Sequence, residues 1–221
     1  MITNEHVEKF VEQARRYGKE RWMLCSSGDL SWRVGNEMLV SGTGSWLRDL
    51  KKDKVAICRM MDRQCINGVK PSMEFDFHAG VYRNRQDVNV VLHFQSEFAT
   101  AVACMKNKPT NFNVVAEIPC KLGRTIPILP SMRPGSSALA KAVVDAMVNH
   151  DAVLLASHGQ VVCGRDFDDV FEKAAFFEFA CRIIVLSGGN YDDFILYVQD
   201  LSKKTFQQHK VDTDLCKNNS T

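Results

Sequence analysis

The sequence has 221 residues, of which 45% are hydrophobic and 24% are charged, a composition typical of one globular domain with a sizeable core. The formal net charge is +2 and no long run of like charges occurs, so the chain lacks the basic stripe expected of a nucleic-acid-binding protein. No apolar run approaches the roughly 20 residues that span a bilayer, and the N-terminus does not resemble a signal peptide, so we expect a cytoplasmic protein that binds no membrane.

Helices and short strands alternate along the first half of the chain. Thr3 is expected to cap a helix whose apolar residues recur at helical spacing up to Tyr17, and Gly18 is expected to end it. Alternating or apolar patterns predict four strands: GDLSWRV (28–34), EMLVSG (37–42), KVAICRM (54–60) and VNVVLHF (88–94).

The second half continues this alternation. The predicted elements are a helix in EFATAVACM (97–105), a short edge strand in TIPILP (125–130), a helix in GSSALAKAVVDAMVNH (135–150) and two strands in AVLLASHGQVVCG (152–164). The third of these opens on Ser136 or Ser137, and the two strands are separated near His158. The order of elements predicts an α/β fold with helices on both sides of a largely antiparallel sheet.

The last strong helix begins after Asp166 and runs to Gly188 or Gly189. It is apolar almost all round, so it either lies at the centre of the core or is covered by a subunit contact. We expect residues 1–206 to form a single domain and residues 207–221 to form a polar tail.

The eight cysteines are scattered singly, and no C-x-x-C pair suggests a zinc ribbon or a redox couple. We therefore predict reduced thiols, most of them small residues of the core.

Polar side chains end two of the predicted strands. His93 and Gln95 share one face at the end of a strand, and His158 follows another strand. A catalytic zinc site needs about three nitrogen or oxygen ligands and an open position. A single histidine of this kind is commonly structural, so the hypothesis of a metal site depends on the combination.

Glu74 completes the combination. It follows Pro71 and Ser72 at a predicted helix start, where a carboxylate is favourable and could serve as a base or as a ligand. Glu74 and His78 lie four residues apart on one helical face, a spacing that more often reflects a structural or solvated contact.

The ordered motifs SSGDLSWR, LVSGTGSW, VKPSME, HFQ and SHGQVVCG, followed by a helix with AAFFEFACRI, resemble the class II aldolase and adducin family. The resemblance covers nearly the whole chain and is closest to the L-fuculose-1-phosphate aldolase branch. It implies a three-layer α/β/α domain with a central, mainly antiparallel sheet, class II aldolase-like, assembled as a homotetramer with sites at subunit interfaces.

The resemblance also implies a divalent metal, zinc in the relatives, held by an H-x-H motif and an H-G motif. These motifs map to His93, position 95 and His158, so Gln95 replaces one ligand histidine. Two roles are open for Gln95: it either binds the metal or supports a ligand by a hydrogen bond, or it is a packing residue. The family's glutamate maps to Glu74, which is expected to move a proton on the substrate.

The family's phosphate-binding loops map to six positions of this sequence: Ser27, Gly28, Asp29, Thr43, Gly44 and Ser72. Asp29 stands where the family has Asn, and Met73 stands where it has Ser. Asp29 therefore either faces the phosphate or faces away and caps a turn. No tyrosine is found in NKPTNFNVVAE (107–117), where the resemblance leads us to look for the family's second acid/base, so that role has no candidate.

The implied reaction is reversible cleavage of a ketose 1-phosphate, such as L-fuculose 1-phosphate, to dihydroxyacetone phosphate and a short aldehyde such as lactaldehyde. Two alternatives remain open: a sugar-phosphate epimerase or dehydratase of the same fold, and a non-catalytic scaffold like adducin. Retention of Glu74, His93 and His158 together argues against the scaffold.

Overall fold

A seven-stranded sheet separates two layers of helices in the computed structural model, which describes residues 1–188. The strands are β1 (Asp29–Val34), β2 (Glu37–Ser41), β3 (Val55–Arg59), β4 (Val90–Phe94), β5 (Ile128–Leu129), β6 (Ala152–Leu155) and β7 (Gly159–Gly164). Their order across the sheet is β3-β2-β1-β4-β7-β6-β5, and every neighbouring pair is antiparallel except β5 and β6. The predicted mainly antiparallel sheet is therefore confirmed, and β5 lies at its edge as expected.

Six α-helices cover the two faces of this sheet among the described residues. They are α1 (Asn4–Lys19), α2 (Phe75–Asn84), α3 (Glu97–Cys104), α4 (Ile118–Lys121), α5 (Ser137–Met147) and α6 (Phe167–Leu186). Two short 3-10 helices, Leu47–Asp49 and Lys52–Lys54, and the four-residue α4 were not predicted from the sequence.

The alternation of side chains along each strand divides the core into two parts. In β4, Leu92 packs with α1, α3, α4 and α6 on one face, whereas Val91 packs with α2 and α5 on the other. Because all five residues of β4 are buried, this strand carries apolar side chains toward both layers. The three-layer α/β/α prediction is confirmed.

Side chains predicted to cap helices do so. Thr3 accepts a hydrogen bond from the backbone of His6 at the start of α1, and Asp166 accepts one from Asp169 at the start of α6. Ser136, rather than Ser137, caps α5 by accepting from the backbone of Leu139 at 3.2 Å. Each bond satisfies a helix N–H that has no partner within the helix.

The prediction that Gly18 ends the first helix is wrong, because α1 continues to Lys19. Gly18 serves a different purpose. A Cβ atom added there would lie 2.1 Å from the backbone nitrogen of Arg48, so only glycine allows the chain to pass this closely against α1.

The helix α6 is apolar almost all round but is buried within this chain on one face only. Phe177 and Ile184 are buried in the core, whereas Phe179 is 47% exposed and Leu186 is 68% exposed. The expected end of this helix near Gly188 is met within a few residues. The remainder of the predicted domain and the predicted tail, residues 189–221, lie outside the described residues.

All seven cysteines of residues 1–188 are free thiols, as predicted. Four of these seven pack in the core, with Cys58, Cys163 and Cys181 buried and Cys65 half-buried, whereas Cys25, Cys104 and Cys120 are exposed in a turn, at the end of α3 and in the short α4. Within the same residues, no helix combines the length and apolar character needed to cross a membrane.

Candidate functional site

A cavity of about 680 Å³ opens where β1 begins, β4 ends and β7 begins. Antiparallel pairing brings these three strand termini together, since Asp29 pairs with His93 and Phe94 pairs with Gln160. All ten residues predicted for the site line this cavity: Ser27, Gly28, Asp29, Thr43, Gly44, Ser72, Glu74, His93, Gln95 and His158. The structure thus brings together residues that are up to 131 positions apart in sequence.

Three of them form a compact group, which we call the Glu–His cluster: Glu74, His93 and His158. One potential ligand atom from each lies within 4.8 Å of the others. His93 Nε2 is 3.3 Å from Glu74 Oε2, and His158 Nε2 is 3.9 Å from Glu74 Oε1. Two imidazole nitrogens and a carboxylate are a ligand set that divalent metals, zinc in particular, commonly use.

A hydrogen bond to the backbone fixes the orientation of the His93 ring. Its Nδ1 donates a hydrogen bond to the backbone carbonyl of Gln160 at 2.9 Å, which leaves Nε2 free to point at Glu74. Burial lowers the pKa of His93, so the neutral imidazole, the form that binds metals, is favoured. A ligand histidine held through its second nitrogen is the usual arrangement in metal sites.

The tight connection between β6 and β7 presents His158. Ser157 adopts a left-handed conformation with φ of 56°, and a Cβ atom at position 159 would lie 2.5 Å from the carbonyl oxygen of Phe94. The glycine of the S-H-G motif is therefore required by close backbone approach. Burial, and then the neighbouring His93, lower the pKa of His158. Its Nδ1 is buried without a hydrogen-bond partner in the described structure.

Glu74 lies immediately before α2. Its backbone N–H donates to Ser72 Oγ at 3.2 Å, and its Oε1 accepts from the backbone N–H of Gly135 at 3.4 Å. Burial, together with the negative charge of Asp29, raises the pKa of Glu74 to about 7. A carboxyl group tuned in this way can both accept and release a proton near neutrality.

These observations fit a divalent metal. The cluster has two neutral imidazoles and one carboxylate that converge on a common point, and one imidazole is held by a backbone carbonyl. Gln95 lines the same cavity just beyond the end of β4, and its backbone N–H donates to the Trp22 carbonyl at 3.0 Å. Its role as a ligand stays a prediction.

Asp29 is only 6% exposed and makes two contacts that the sequence did not reveal. It accepts a hydrogen bond from Ser72 Oγ, and its Oδ1 lies 2.7 Å from His78 Nε2. The alternative in which Asp29 caps a turn is wrong, because it is the first residue of β1 and its carboxylate is engaged by these partners. Burial opposes its ionisation, but His78 outweighs burial and holds the pKa of Asp29 below its usual value.

His78 is fully buried and extends this network inward. Its Nδ1 lies 2.7 Å from Ser31 Oγ, which in turn lies 2.7 Å from the Tyr82 hydroxyl. The structural role expected for His78 is thus observed, with Asp29 rather than Glu74 as its partner. The E-x-x-x-H spacing located the histidine but could not identify a partner on another element.

A second hydrogen-bond network, which was not predicted from the sequence, lies behind the Glu–His cluster. Glu178 of α6 accepts hydrogen bonds from Ser96 Oγ at 2.5 Å and from the backbone N–H groups of Phe98 and Ala99 at 2.9 Å. Ser96 Oγ in turn accepts a hydrogen bond from the Gln160 amide. Glu178 thereby accepts hydrogen bonds from the free N–H groups at the start of α3, although it lies about 80 residues further along the chain. No local sequence pattern could have predicted this contact.

Ten of the lining residues form three segments, which we call the cavity loops: residues 26–29, 42–45 and 72–73. Thr100, Pro134 and Ser157 also line the cavity. The cavity loops supply hydroxyl groups and glycine backbone, with Gly44 at φ of 71°, and Met73 is 65% exposed. None of the described residues that line the cavity is a lysine or an arginine. An anion here would be bound by hydroxyl and backbone N–H groups, as phosphate often is.

Comparison with known proteins agrees with this architecture. The chain is 29% identical over 187 residues to the 3-oxo-tetronate 4-phosphate decarboxylase of Escherichia coli O6:H1 (strain CFT073), covering 82% of this chain and 86% of the relative. It is 30% identical over 169 residues to the L-fuculose phosphate aldolase of Methanococcus maripaludis (strain C7), covering 76% and 90%. A solved L-fuculose 1-phosphate aldolase superposes with a TM-score of 0.78 at 19% identity, covering 93% of this chain and 98% of that one.

A family model also matches most of the sequence. Residues 8–185 match the model described as Class II Aldolase and Adducin N-terminal domain. The family resemblance in the five ordered motifs is confirmed, and the chain belongs to the class II aldolase and adducin family.

Proposed function

We propose that this protein is a metal-dependent lyase that cleaves a carbon–carbon bond adjacent to a carbonyl group in a phosphorylated sugar derivative. The observation that carries the proposal is the convergence of Glu74, His93 and His158 within 4.8 Å, inside a cavity of about 680 Å³. A divalent cation, zinc in our proposal, would supply Lewis-acid stabilisation of the enediolate charge that develops when the bond breaks.

The residues of this chain have separate roles in the proposal. His93 and His158 hold the cation through Nε2, with Gln95 completing or supporting the ligand set. Glu74 removes or delivers the proton on the enediolate carbon, because burial raises the pKa of its carboxyl group to about 7 and its side chain lines the cavity beside both imidazoles. The cavity loops hold the phosphate through the hydroxyl and backbone groups of Ser27, Gly28, Thr43, Gly44 and Ser72.

The first candidate reaction is aldol cleavage of a ketose 1-phosphate such as L-fuculose 1-phosphate, which yields dihydroxyacetone phosphate and a short aldehyde. The L-fuculose phosphate aldolase at 30% identity supports it. Aldol cleavage also requires a base that takes the proton from the hydroxyl group which becomes the aldehyde.

A specific observation favours a second candidate, the decarboxylation of a 3-oxo sugar acid phosphate. Among the described residues that line the cavity, the ionisable side chains are Asp29, Glu74, His93 and His158. Asp29 is engaged by Ser72 and His78, so no group is left for a second acid/base. Decarboxylation passes through the same enediolate but needs no base at a leaving hydroxyl, and the relative at 29% identity is named for this reaction.

A missing acid/base could instead come from another copy of the chain. We infer that the protein is a homotetramer with its cavities at subunit interfaces, and the exposed Phe179 and Leu186 of α6 support an apolar contact. Light scattering of the purified protein tests the assembly. A monomer would remove the interface as a source of the missing group and strengthen the second candidate.

One pair of assays tests the proposed function and separates its two forms. Protein purified without added metal is analysed for bound metals, then supplied with ketose 1-phosphates or with a 3-oxo-tetronate 4-phosphate. Both reactions release dihydroxyacetone phosphate, so release of an aldehyde from a ketose 1-phosphate identifies the aldolase, and release of carbon dioxide from the 3-oxo acid phosphate identifies the decarboxylase. Bound metal with neither product would leave the epimerase or dehydratase alternatives, and absence of both metal and turnover would support the scaffold.

A further inference from the structure

Two cysteines lie opposite each other at the edge of the sheet, away from the cavity. Cys58 of β3 pairs with Cys65 in an isolated antiparallel bridge that follows the turn at 60–64. Two backbone hydrogen bonds flank this pair, from Arg59 N to Gln64 O at 2.9 Å and from Ile66 N to Ile57 O at 2.8 Å. The pair itself is therefore of the non-hydrogen-bonded type, in which Cα atoms are about 4.5 Å apart.

That geometry suits a covalent bond between the sulfur atoms. Disulfides join residues whose Cα atoms are about 4.4 to 6.8 Å apart, and residues paired in a bridge place their side chains on the same face. Cys58 is 1% exposed and Cys65 is half-buried, and both pack in the core cluster beneath α2 and α5. The Cys65 thiol donates to the Val69 carbonyl at 2.8 Å, so it is ordered rather than free in solvent.

The environments of the two thiols assign them different roles. Burial, and then the adjacent Cys65 thiol, raise the pKa of Cys58 to about 12, which makes Cys58 a poor first nucleophile. Cys65 is the member of the pair that solvent can reach. An oxidant from solution therefore meets Cys65 first and Cys58 second.

We propose that Cys58 and Cys65 form a reversible disulfide when the protein meets a low-molecular-weight disulfide such as glutathione disulfide. The Cys65 thiolate attacks one sulfur of glutathione disulfide and releases one glutathione thiol, leaving a mixed disulfide on Cys65. The Cys58 thiolate then attacks the Cys65 sulfur and expels the second glutathione thiol. The two protein thiols lose two electrons, glutathione disulfide gains them, and the two thiol protons end on the two glutathione molecules.

The new bond would close a loop of eight residues, 58–65. It would also cost the hydrogen bond from Cys65 to Val69, which lies in the segment that continues to Ser72 of the cavity loops. The other cysteines lack this arrangement. Cys25, Cys104 and Cys120 are exposed, and among the described residues Cys58 is the only buried cysteine that is paired with another cysteine in a β-bridge.

The test uses the reduced full-length chain, incubated with glutathione disulfide, blocked with an alkylating agent and digested with trypsin. Cleavage after Arg59 and Arg63 places Cys58 in VAICR (55–59) and Cys65 in a separate peptide that begins at Gln64. We expect a linked pair of these two peptides, which a reductant separates, and the loss of two alkylatable thiols. Cys65→Ser should abolish the linked peptides, and the matched control Cys120→Ser should keep them.

Cys58→Ala provides a second variant that distinguishes the order of steps. Without the buried partner, Cys65 should stop at the mixed disulfide and retain one glutathione. The proposal is overturned if Cys58 stays alkylatable while exposed Cys104 and Cys120 take up glutathione, or if Cys65 is found linked to another cysteine. The measurement needs neither metal nor substrate, so it does not depend on the proposed lyase activity.

Discussion

The Glu–His cluster and the cavity loops line one cavity but are built in different ways. In the cluster, His93 lies on β4 and Glu74 immediately precedes α2, and both are buried, whereas the half-buried His158 lies in the tight turn between β6 and β7. Apart from Asp29, the first residue of β1, the cavity loops lie outside the helices and strands, and Thr43 and Gly44 are exposed to solvent. The cluster keeps three of the residues that the family resemblance implies, whereas the loops depart from it at Asp29 and Met73.

This difference means that the type of reaction and the identity of the substrate can be inferred to different degrees. A metal site tolerates little displacement of its ligands, and here backbone groups of Gln160 and Gly135 hold His93 and Glu74, so the type of chemistry can be inferred from the cluster. Loops change more freely, and here the changes add a carboxylate and remove a hydroxyl where an anion is expected to bind. The class of reaction is therefore better defined than the substrate, and five substitutions at four kinds of position test that distinction.

The largest effect is expected from loss of a cluster histidine. His93→Ala or His158→Ala should release the metal and lower turnover by about 10⁴-fold or more, because the Lewis acid is lost with its ligand. Metal analysis and turnover of the purified variants check this, with His150→Ala as a control remote from the cavity. Full metal occupancy in both cluster variants would refute the ligand assignment.

Glu74→Gln should lower turnover by about 10² to 10⁴-fold while substrate binding is largely kept. The amide retains the size of the side chain and the contact with Gly135 but can no longer take up a proton. Steady-state kinetics, with Glu172→Gln as the matched control on the surface, measure the effect. Unchanged turnover would end the assignment of Glu74 as the proton carrier.

Gln95→His examines the one cluster neighbour that differs from the family pattern. If Gln95 lies within reach of the metal, an imidazole nitrogen should replace a weaker amide donor and slow metal loss to a chelator by roughly tenfold. Circular dichroism should show an unchanged fold. Equal chelator sensitivity in the two proteins would mean that the glutamine serves packing alone.

Asp29→Asn is expected to have the smallest effect and concerns the cavity loops. Removing a carboxylate near a phosphate dianion should lower the Michaelis constant of a phosphorylated substrate by about threefold to tenfold. Asp62→Asn, an exposed position, is the control. If the constant does not change, the carboxylate of Asp29 acts through His78 and Ser72 rather than on the phosphate.

Local sequence patterns were sufficient for most of the elements. Alternation identified β1 to β4, capping residues located the starts of α1 and α6, and proline flanks identified β5 as an edge strand. The four-residue α4 was missed because so short a helix has no period to detect. Gly18 was misread because the need for glycine there comes from Arg48, which approaches from another part of the chain.

The sequence by itself thus determined the layers of the fold and ten of the residues that line the cavity, since periodicity and ordered motifs are local properties. Only the tertiary structure decided which residues contact each other. The antiparallel pairing of β1, β4 and β7 brings Asp29, His93 and His158 together. The packing of α2 on the sheet adds Glu74 and gives Asp29 the buried partner His78 instead of a turn to cap. Contacts between residues tens of positions apart depend on strand order and register, which no single segment encodes.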